Sequence, residues 1–367
     1  MFDEAGNISM KQISAISLST MLRKSRKKIL ASVFITAACL MAIQIKPAHA
    51  YDKAKLFDAF LSIVMIKGYT LDGSMAYGSG VVVAKNKVLT NCHIMRETKE
   101  PWVAKGEDTF AITAVQADRY HDLCLVNVDN LPYKAAQIGS INQLNKGAPI
   151  VSIGHSSANP SPVTAIGKVR AVYPFHEGLI ISGTARFSMG ASGSGMFDDV
   201  GNLIGINTFK SPGRNAYFYA LPIEWLKQVE KLPVETQFPI TGKAFWEEAE
   251  QDKPYFMRVV QPEINENWTG LQEIALKWTK AEPNNAEAWY VLGYALEMTK
   301  QSIAALDAYH KALTLNPQHT EAMFRLGLSA AEKGNNSEFE SLQKQLATLD
   351  SDLADQLTQR VNCKSEC

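Results

Sequence analysis

Between about residues 55 and 220 the apolar positions fall in short runs, at 60–66, 79–91, 110–116, 123–128, 149–154, 163–173, 178–187, 195–209 and 216–221, parted by Gly, Asn, Asp and Pro. Many short runs at this spacing predict the strands of an all-β barrel or sandwich. The stretch Ile223–Val229 changes to a helical period and predicts a helix that closes this region. From about 232 to 265 the chain carries Pro233, Pro239, Pro254 and Pro262 with mixed charge, which reads as an interdomain connection with one short helix near 243–251. Beyond it a period of 34 residues sets in: Pro283 and Pro317 are 34 apart, with Trp289, Leu292, Gly293, Leu296, Ala305, Tyr309 and Ala312 between them. Bulky residues followed by small ones suit two helices that cross closely, and Pro ends the second helix. Leu271, Ala275 and Trp278 fit the second helix of a preceding unit; Leu326, Gly327 and Ala330 open a following one, and 343–361 supplies a cap.

Chemistry concentrates in three places: Thr90-Asn91-Cys92-His93, His121-Asp122-Leu123-Cys124-Leu125, and Gly190-Ala191-Ser192-Gly193-Ser194-Gly195. A serine hydroxyl is a poor nucleophile unless an imidazole takes its proton and a buried carboxylate holds that imidazole in the right tautomer. His93, Asp122 and Ser192 are candidates for those roles, each where a strand begins or ends. The glycines around Ser192 let the backbone turn so that the Gly190 and Ser192 amides face a developing oxyanion.

At about residues 55–230 these motifs resemble the trypsin-like, chymotrypsin-fold serine peptidases, in the bacterial branch with the HtrA-type and glutamyl-specific enzymes. Val151-Ser152-Ile153-Gly154-His155, Thr164 with Gly167-Lys168-Val169, and Tyr217–Ile223 resemble further family segments in the same order. The resemblance implies two packed six-stranded barrels with His93, Asp122 and Ser192 in the cleft. Gly195 stands where many members carry Pro, and Ser194 where many carry Gly. No Ile-Val-Gly-Gly start is found, so activation by a new amino terminus is not expected. The 34-residue pattern resembles tetratricopeptide repeats, which bind a peptide or partner protein or serve as a stabilising appendage. The fold class is therefore multidomain: an all-β double-barrel peptidase domain followed by an all-α repeat domain. The expected boundaries are 51–232 for the peptidase, 233–265 for the linker, 266–361 for the repeats with their cap, and 362–367 for a tail.

At the N-terminus Arg23–Lys28, the apolar Ile29–Ile45 and Ala48-His49-Ala50 read as the three parts of a signal peptide over 1–50, with Tyr51 the first mature residue. Met21 as the start gives a better-proportioned signal. An uncleaved anchor or a lipoprotein through Cys39 are the weaker alternatives. Lys plus Arg equals Asp plus Glu at 37 each. The basic cluster belongs to the signal, so no nucleic-acid face is implied. An exported, periplasmic protein with Cys92, Cys124, Cys363 and Cys367 favours disulfides. The resemblance implies a Cys92–Cys124 bridge bracing the His–Asp pair, or else two buried free thiols, and a small Cys363–Cys367 loop at the tail. No zinc-like spacing is found, no metal or cofactor is expected, and His155, His176, His310 and His319 read as surface or loop residues.

By the family's register Arg186 lies at the base of the specificity pocket, with Thr208, Phe209 and Lys210 as its strand wall; no acidic base argues for Lys or Arg substrates. The reading is a serine endopeptidase acting on protein or peptide, whose repeats recruit a substrate, a regulator or a second copy. The alternative is a catalytically silent or conditionally active adaptor. An esterase on the same triad is disfavoured by the order of the three residues.

Overall fold

The structure is a computed structural model that describes residues 51–366 apart from 143 and 213–215. The signal-peptide reading of 1–50 lies outside the described residues. Six strands, β1 (Ile63–Tyr69), β2 (Met75–Ala84), β3 (Lys87–Asn91), β4 (Trp102–Lys105), β5 (Asp108–Asp118) and β6 (Leu123–Val128), pair in the order β5-β4-β1-β2-β3-β6. β6 pairs again with β5 and closes the ring. A second closed barrel runs β10-β11-β12-β9-β8-β7, from β7 (Pro149–Gly154), β8 (Val163–Phe175), β9 (Gly178–Gly183), β10 (Gly195–Phe197), β11 (Leu203–Lys210) and β12 (Phe218–Pro222). The local signals behind these strands are ordinary. Val81, Val82, Val88 and Leu89 are fully buried on β2 and β3, and the turn between them is made by Asn86 at φ 58, a left-handed conformation that Asn tolerates.

A helix α1 (Lys53–Leu61) precedes β1 and starts at Asp52, whose side chain accepts from Lys55 N. A second, α2 (Cys92–Glu97), follows β3 directly. After β12 the predicted closing helix is found as a tight turn, Ile223–Trp225, running into α3 (Leu226–Val229), with Trp225 and Val229 buried.

Residues 233–265 carry more structure than a connection. β13 (Val234–Glu235) pairs with β5 through Val234 and Gln116, and Phe245–Glu247 form a single helical turn with Phe245 fully buried. α4 (Tyr255–Arg258) and α5 (Val260–Ile264) follow. Phe256 stacks on Tyr173 of β8 at 4.8 Å, so this stretch shares the core of the second barrel.

The remaining helices are α6 (Trp268–Ala281), α7 (Ala286–Met298), α8 (Ser302–Leu315), α9 (Thr320–Glu332), α10 (Asn336–Leu349) and α11 (Ser351–Glu366). Side chains of Asn267, Asn285, His319 and Asn335 cap four of them by accepting from backbone N–H groups one turn in. α7–α8 and α9–α10 make two helix pairs, α6 stacks before them, and α11 closes the array with Ala354 and Leu357 buried. The cap expected at 343–361 is thus the helix α11, preceded by a complete pair.

The array does not stand apart from the barrels. One apolar cluster runs from Ile63 and Val151 through Trp225 and Phe256 to Trp278, Tyr309 and Leu357. At the seam, basic side chains of the second barrel meet acidic ones of the helices. Lys146 pairs with Glu321, Lys168 with Asp352, and Arg170 lies 3.9 Å from Glu263. The α7 face bearing Glu287, Tyr290 and Tyr294 lines, with Lys146, Arg170 and Tyr173, a cavity of about 70 Å³. His319, expected as a surface or loop residue, lies in the turn before α9 but is buried, its ring capping α9 from inside the seam and pairing with Glu287 at 3.1 Å.

The small residues of the 34-residue pattern have a steric cause. A Cβ on Gly293 would lie 2.7 Å from the Tyr309 ring, so α7 and α8 approach too closely for any side chain there. Gly293→Val should cost about 1–3 kcal/mol through overpacking, read as a lower midpoint in urea unfolding.

Candidate active site

β3 and β6 lie side by side with Asn91 opposite Leu123 and Thr90 opposite Cys124. That register brings the segment after β3 and the segment before β6 to one end of the first barrel. Cys92 N donates to Asp122 O at 3.2 Å, and Asn91 Nδ2 to the same oxygen at 3.0 Å. Asp122 itself has φ 62, which turns its carboxyl back under the start of α2. The backbone N–H of His93 then donates to Asp122 Oδ1 at 2.8 Å, and His93 Nδ1 to Oδ2 at 2.8 Å. A carboxylate can only accept, so this contact fixes the proton on Nδ1 and leaves Nε2 as the acceptor. The sulfurs of Cys92 and Cys124 lie at bonding distance, 2.06 Å, across the same strand pair. Cys363 is a free, exposed thiol on α11 that carries no bridge, and Cys367 lies outside the described residues.

Asp122 is fully buried. Burial alone would push its carboxyl up, but the His93 imidazole and the donors around it outweigh that and hold it below the usual carboxylate range. Burial likewise disfavours the His93 cation, and the Asp122 charge beside it prevails, so His93 sits above its ordinary value. Oδ2 also accepts from Thr208 Oγ1 at 2.9 Å and from Trp246 Nε1 at 3.1 Å. An acceptor this deep, with each contact to a charge, is the arrangement that keeps a buried carboxylate ionised.

Ser192 lies between the barrels, where Ser79 N of β2 donates to its carbonyl at 2.7 Å. Its hydroxyl donates to Thr208 O at 3.3 Å. Around it the amides alternate. Ala191 N donates to Ser188 O at 3.0 Å, and Gly193 N to Asn207 O at 2.9 Å. The amides of Gly190 and Ser192 have no acceptor among the described residues. Ser157 N donates to Met189 O at 2.7 Å and turns that carbonyl away from the Gly190 N–H, which lies on the opposite edge of the same peptide. Ser79 Oγ donates to Gly190 O at 2.8 Å and accepts from His155 N at 2.9 Å, so the next peptide is held as well. Both glycines are required. Gly190 has φ 91 and Gly193 has φ 83, and a Cβ on Gly193 would lie 2.1 Å from Ser79 O. His155, expected as a surface or loop residue, lies in a loop but is buried, because it backs this turn, with Nδ1 bonded to Asn159 O.

The four residues expected to shape a specificity pocket do not converge. Thr208 is buried with its hydroxyl on Asp122, so it belongs with the His–Asp pair and not with a pocket wall. Phe209 stacks on Tyr219 at 4.7 Å and on Trp246 at 5.7 Å. Lys210 and Arg186 are exposed, the latter bordering a cavity with Arg170, Tyr217, Phe218 and Glu263. Phe187, Ala191 and Phe218 pack as one small buried apolar cluster, with Ala191 next to Ser192 in the chain. Trp246 was not singled out by the sequence pattern, since an isolated Trp in a proline-rich stretch has no periodic partner. Among the described residues no group of three or more His, Cys, Asp or Glu could hold a metal ion.

Comparisons with known proteins agree with this geometry at the level of domains. Residues 78–206 match the family model of the trypsin-like peptidase domain, and residues 286–319 that of the tetratricopeptide repeat. A peroxisomal targeting signal receptor of Candida albicans is 31% identical over 90 residues, which are 23% of this chain and 15% of the receptor. Among solved structures, a form of the HtrA-type protease AlgW with a tripeptide is 22% identical with a TM-score of 0.43, covering 48% of this chain and 61% of that one. The Rv3671c protease of M. tuberculosis in its active form is 19% identical with a TM-score of 0.45, covering 53% of this chain and 92% of that one. The chain thus spans 15% of the Candida albicans receptor and 61% of the AlgW form, less than two thirds of either.

Thr208→Val keeps the shape of the side chain and removes one donor from Asp122. It should lower stability by about 1–2 kcal/mol at pH 7. The Asp122 contribution is present above the ordinary Asp range and is lost as pH falls through the lowered value of the folded state. The gap between the two proteins in urea unfolding should therefore narrow on acidification.

Proposed function

On a chain that carries a trypsin-like peptidase domain and a tetratricopeptide repeat, we propose a serine endopeptidase that is exported, with the repeats serving protein–protein contact. The observation that carries this reading is the fully buried Asp122, bonded at 2.8 Å to a half-buried His93, in one site with Ser192 and its two unengaged flanking amides.

His93 Nε2 takes the proton of Ser192 Oγ as that oxygen attacks the scissile carbonyl carbon. The π electrons of the carbonyl move to its oxygen, and the Gly190 and Ser192 amides receive the charge. His93 then gives the proton to the departing amine, leaving an acyl-enzyme on Ser192. Water, deprotonated by His93, attacks that ester; the acid product leaves and Ser192 recovers its proton. Asp122 keeps Nδ1 protonated throughout and stabilises the transient imidazolium.

Ser192 must first turn from Thr208 O to His93. Its present bond is long, 3.3 Å, and such a bond is worth about 1 kcal/mol or less, so substrate binding is sufficient to release it. The same contact supports the second reading, a conditionally active protein in which a partner sets the serine. The seam contacts of Glu287, Tyr290 and Tyr294 mean that part of the repeat surface already serves a contact within the chain. Export follows from the segment before Tyr51, and amino-terminal sequencing of the protein recovered from the periplasm should begin at Tyr51.

Fluorophosphonate, which traps activated serines, should label the purified protein and fail to label Ser192→Ala. Loss of label in Asp122→Asn should be partial, with kcat lower by about 10³–10⁴ through the wrong tautomer. No label on the parent protein, with or without periplasmic extract, would overturn the constitutive enzyme and leave the adaptor.

Because His93 must be neutral to act as a base and its value is raised, kcat/KM should climb with pH through a midpoint above the ordinary histidine value of about 6.5. A pH–rate profile on a peptide ester checks this.

A further inference from the structure

The turn that carries Asp122 is too short to cover it. β5 ends at Asp118 and β6 begins at Leu123, so the loop has nothing to lay over the carboxylate, yet Asp122 is fully buried. What covers it comes from far along the chain. The segment from β13 to the turn Phe245–Glu247 crosses the end of the first barrel, and its Trp246 reaches Asp122 Oδ2 through Nε1 at 3.1 Å.

We infer that Trp246 is a positioning residue of the His93–Asp122 pair: a donor to the carboxylate, its cover against water, and a stop against rotation of the His93 ring. This rests on the reading of His93, Asp122 and Ser192 as a catalytic triad. Trp246 lies 40 positions beyond the residues that match the peptidase model, 246 against 206.

Three features support the role. Trp246 meets the His93 ring edge to face, with centroids 5.5 Å apart and planes at 88°. An imidazole hemmed in on that side cannot flip about its χ2 axis without displacing the indole, so Nε2 stays turned away from Asp122. The indole is itself held by Phe209, stacked at 5.7 Å.

The second feature is anchorage to both elements of the pair. Arg96, on the helix that carries His93, binds Glu247 at 2.6 Å and Gly242 O at 2.9 Å. Phe245 N donates to Tyr120 O at 2.9 Å, and Arg119 Nε to Thr241 O at 2.8 Å, both in the turn that carries Asp122. The third is the choice of donor. Indole N–H has no acceptor capacity and no charge, so it neutralises nothing and cannot take the proton from His93. It shares the negative charge of Oδ2 with Thr208 and leaves that oxygen on His93.

Charged groups facing His93 are Asp122 on the β6 side, Glu97 and Arg96 on its own helix, and Glu247 of the crossing segment, already paired with Arg96. Removing the Trp246 donor concentrates charge on Oδ2 and tightens its hold on the imidazolium, so the His93 midpoint should rise.

The test compares Trp246→Phe, which loses the N–H and keeps a ring, with Trp246→Ala, which loses both. In the full chain, Trp246→Phe should lower the fluorophosphonate labelling rate and kcat about tenfold with KM unchanged, and should lower the unfolding midpoint about as much as Thr208→Val does, the protein staying folded. Trp246→Ala should be slower still. Separately, histidine NMR on Ser192→Ala with and without Trp246→Phe reads the His93 midpoint with no turnover needed, and the double variant should titrate at higher pH. A Phe variant with the parent's labelling rate and the parent's His93 midpoint would overturn the inference and reduce Trp246 to packing. A midpoint that rises in a protein that fluorophosphonate never labels would support the positioning role while overturning the peptidase reading.

Discussion

A carboxylate with no exposure to water sits at the meeting point of four separate stretches of this chain, and much of the architecture can be traced to keeping it ionised. Asp122 Oδ1 is held by the His93 amide; Oδ2 receives His93 Nδ1, Thr208 Oγ1 and Trp246 Nε1. Its carbonyl takes Cys92 N and Asn91 Nδ2. Moving an unpaired carboxylate out of water costs several kcal/mol, so none of these donors is decorative. They come from α2, from β3, from β11 of the other barrel and from the segment after β13, and the carboxylate ties those elements to one another.

The same logic explains why the serine turn can be held open. Backbone amides aimed at an empty position would ordinarily find an acceptor, because an unpaired N–H is unfavourable in a packed interior. Here the neighbouring carbonyls are already taken. Ser157 N holds Met189 O, Ser79 Oγ holds Gly190 O, and Ser79 N holds Ser192 O. Ser79 lies on β2 of the first barrel and Ser192 precedes β10 of the second, so the geometry of the turn depends on the two barrels being packed together.

The helical array adds a further layer of dependence. Its apolar core is continuous with that of the barrels, and the segment that leads to it passes over the His93–Asp122 pair before the first repeat begins. The seam sets Lys146, Lys168 and Arg170 against Glu321, Asp352 and Glu263. Partly exposed pairs of this kind contribute little net stability and act mainly on register, placing α7 with its Glu287–Tyr290–Tyr294 face toward the second barrel.

Local chemistry was enough to read much of this from the amino-acid order. Alternation and turn residues mark the strands because a pleated surface buries every second side chain. The 34-residue spacing marks the helix pairs because only small residues fit where they cross, as Gly293 against Tyr309 shows. His93, Asp122 and Ser192 carried motifs because each needs particular neighbours in sequence: a left-handed Asp, and glycines flanking a serine. What the order of residues could not yield were the contacts made across long separations. Thr208 looked like a pocket wall, since nothing nearby in sequence says that its hydroxyl meets Asp122. Trp246 looked like part of a connection, and nothing marked His155 and His319 as more than surface or loop residues. Periodicity records which face of an element is buried. Only the tertiary structure decides which buried polar group finds which partner, because that depends on how whole barrels and helices pack and not on any residue's immediate neighbours.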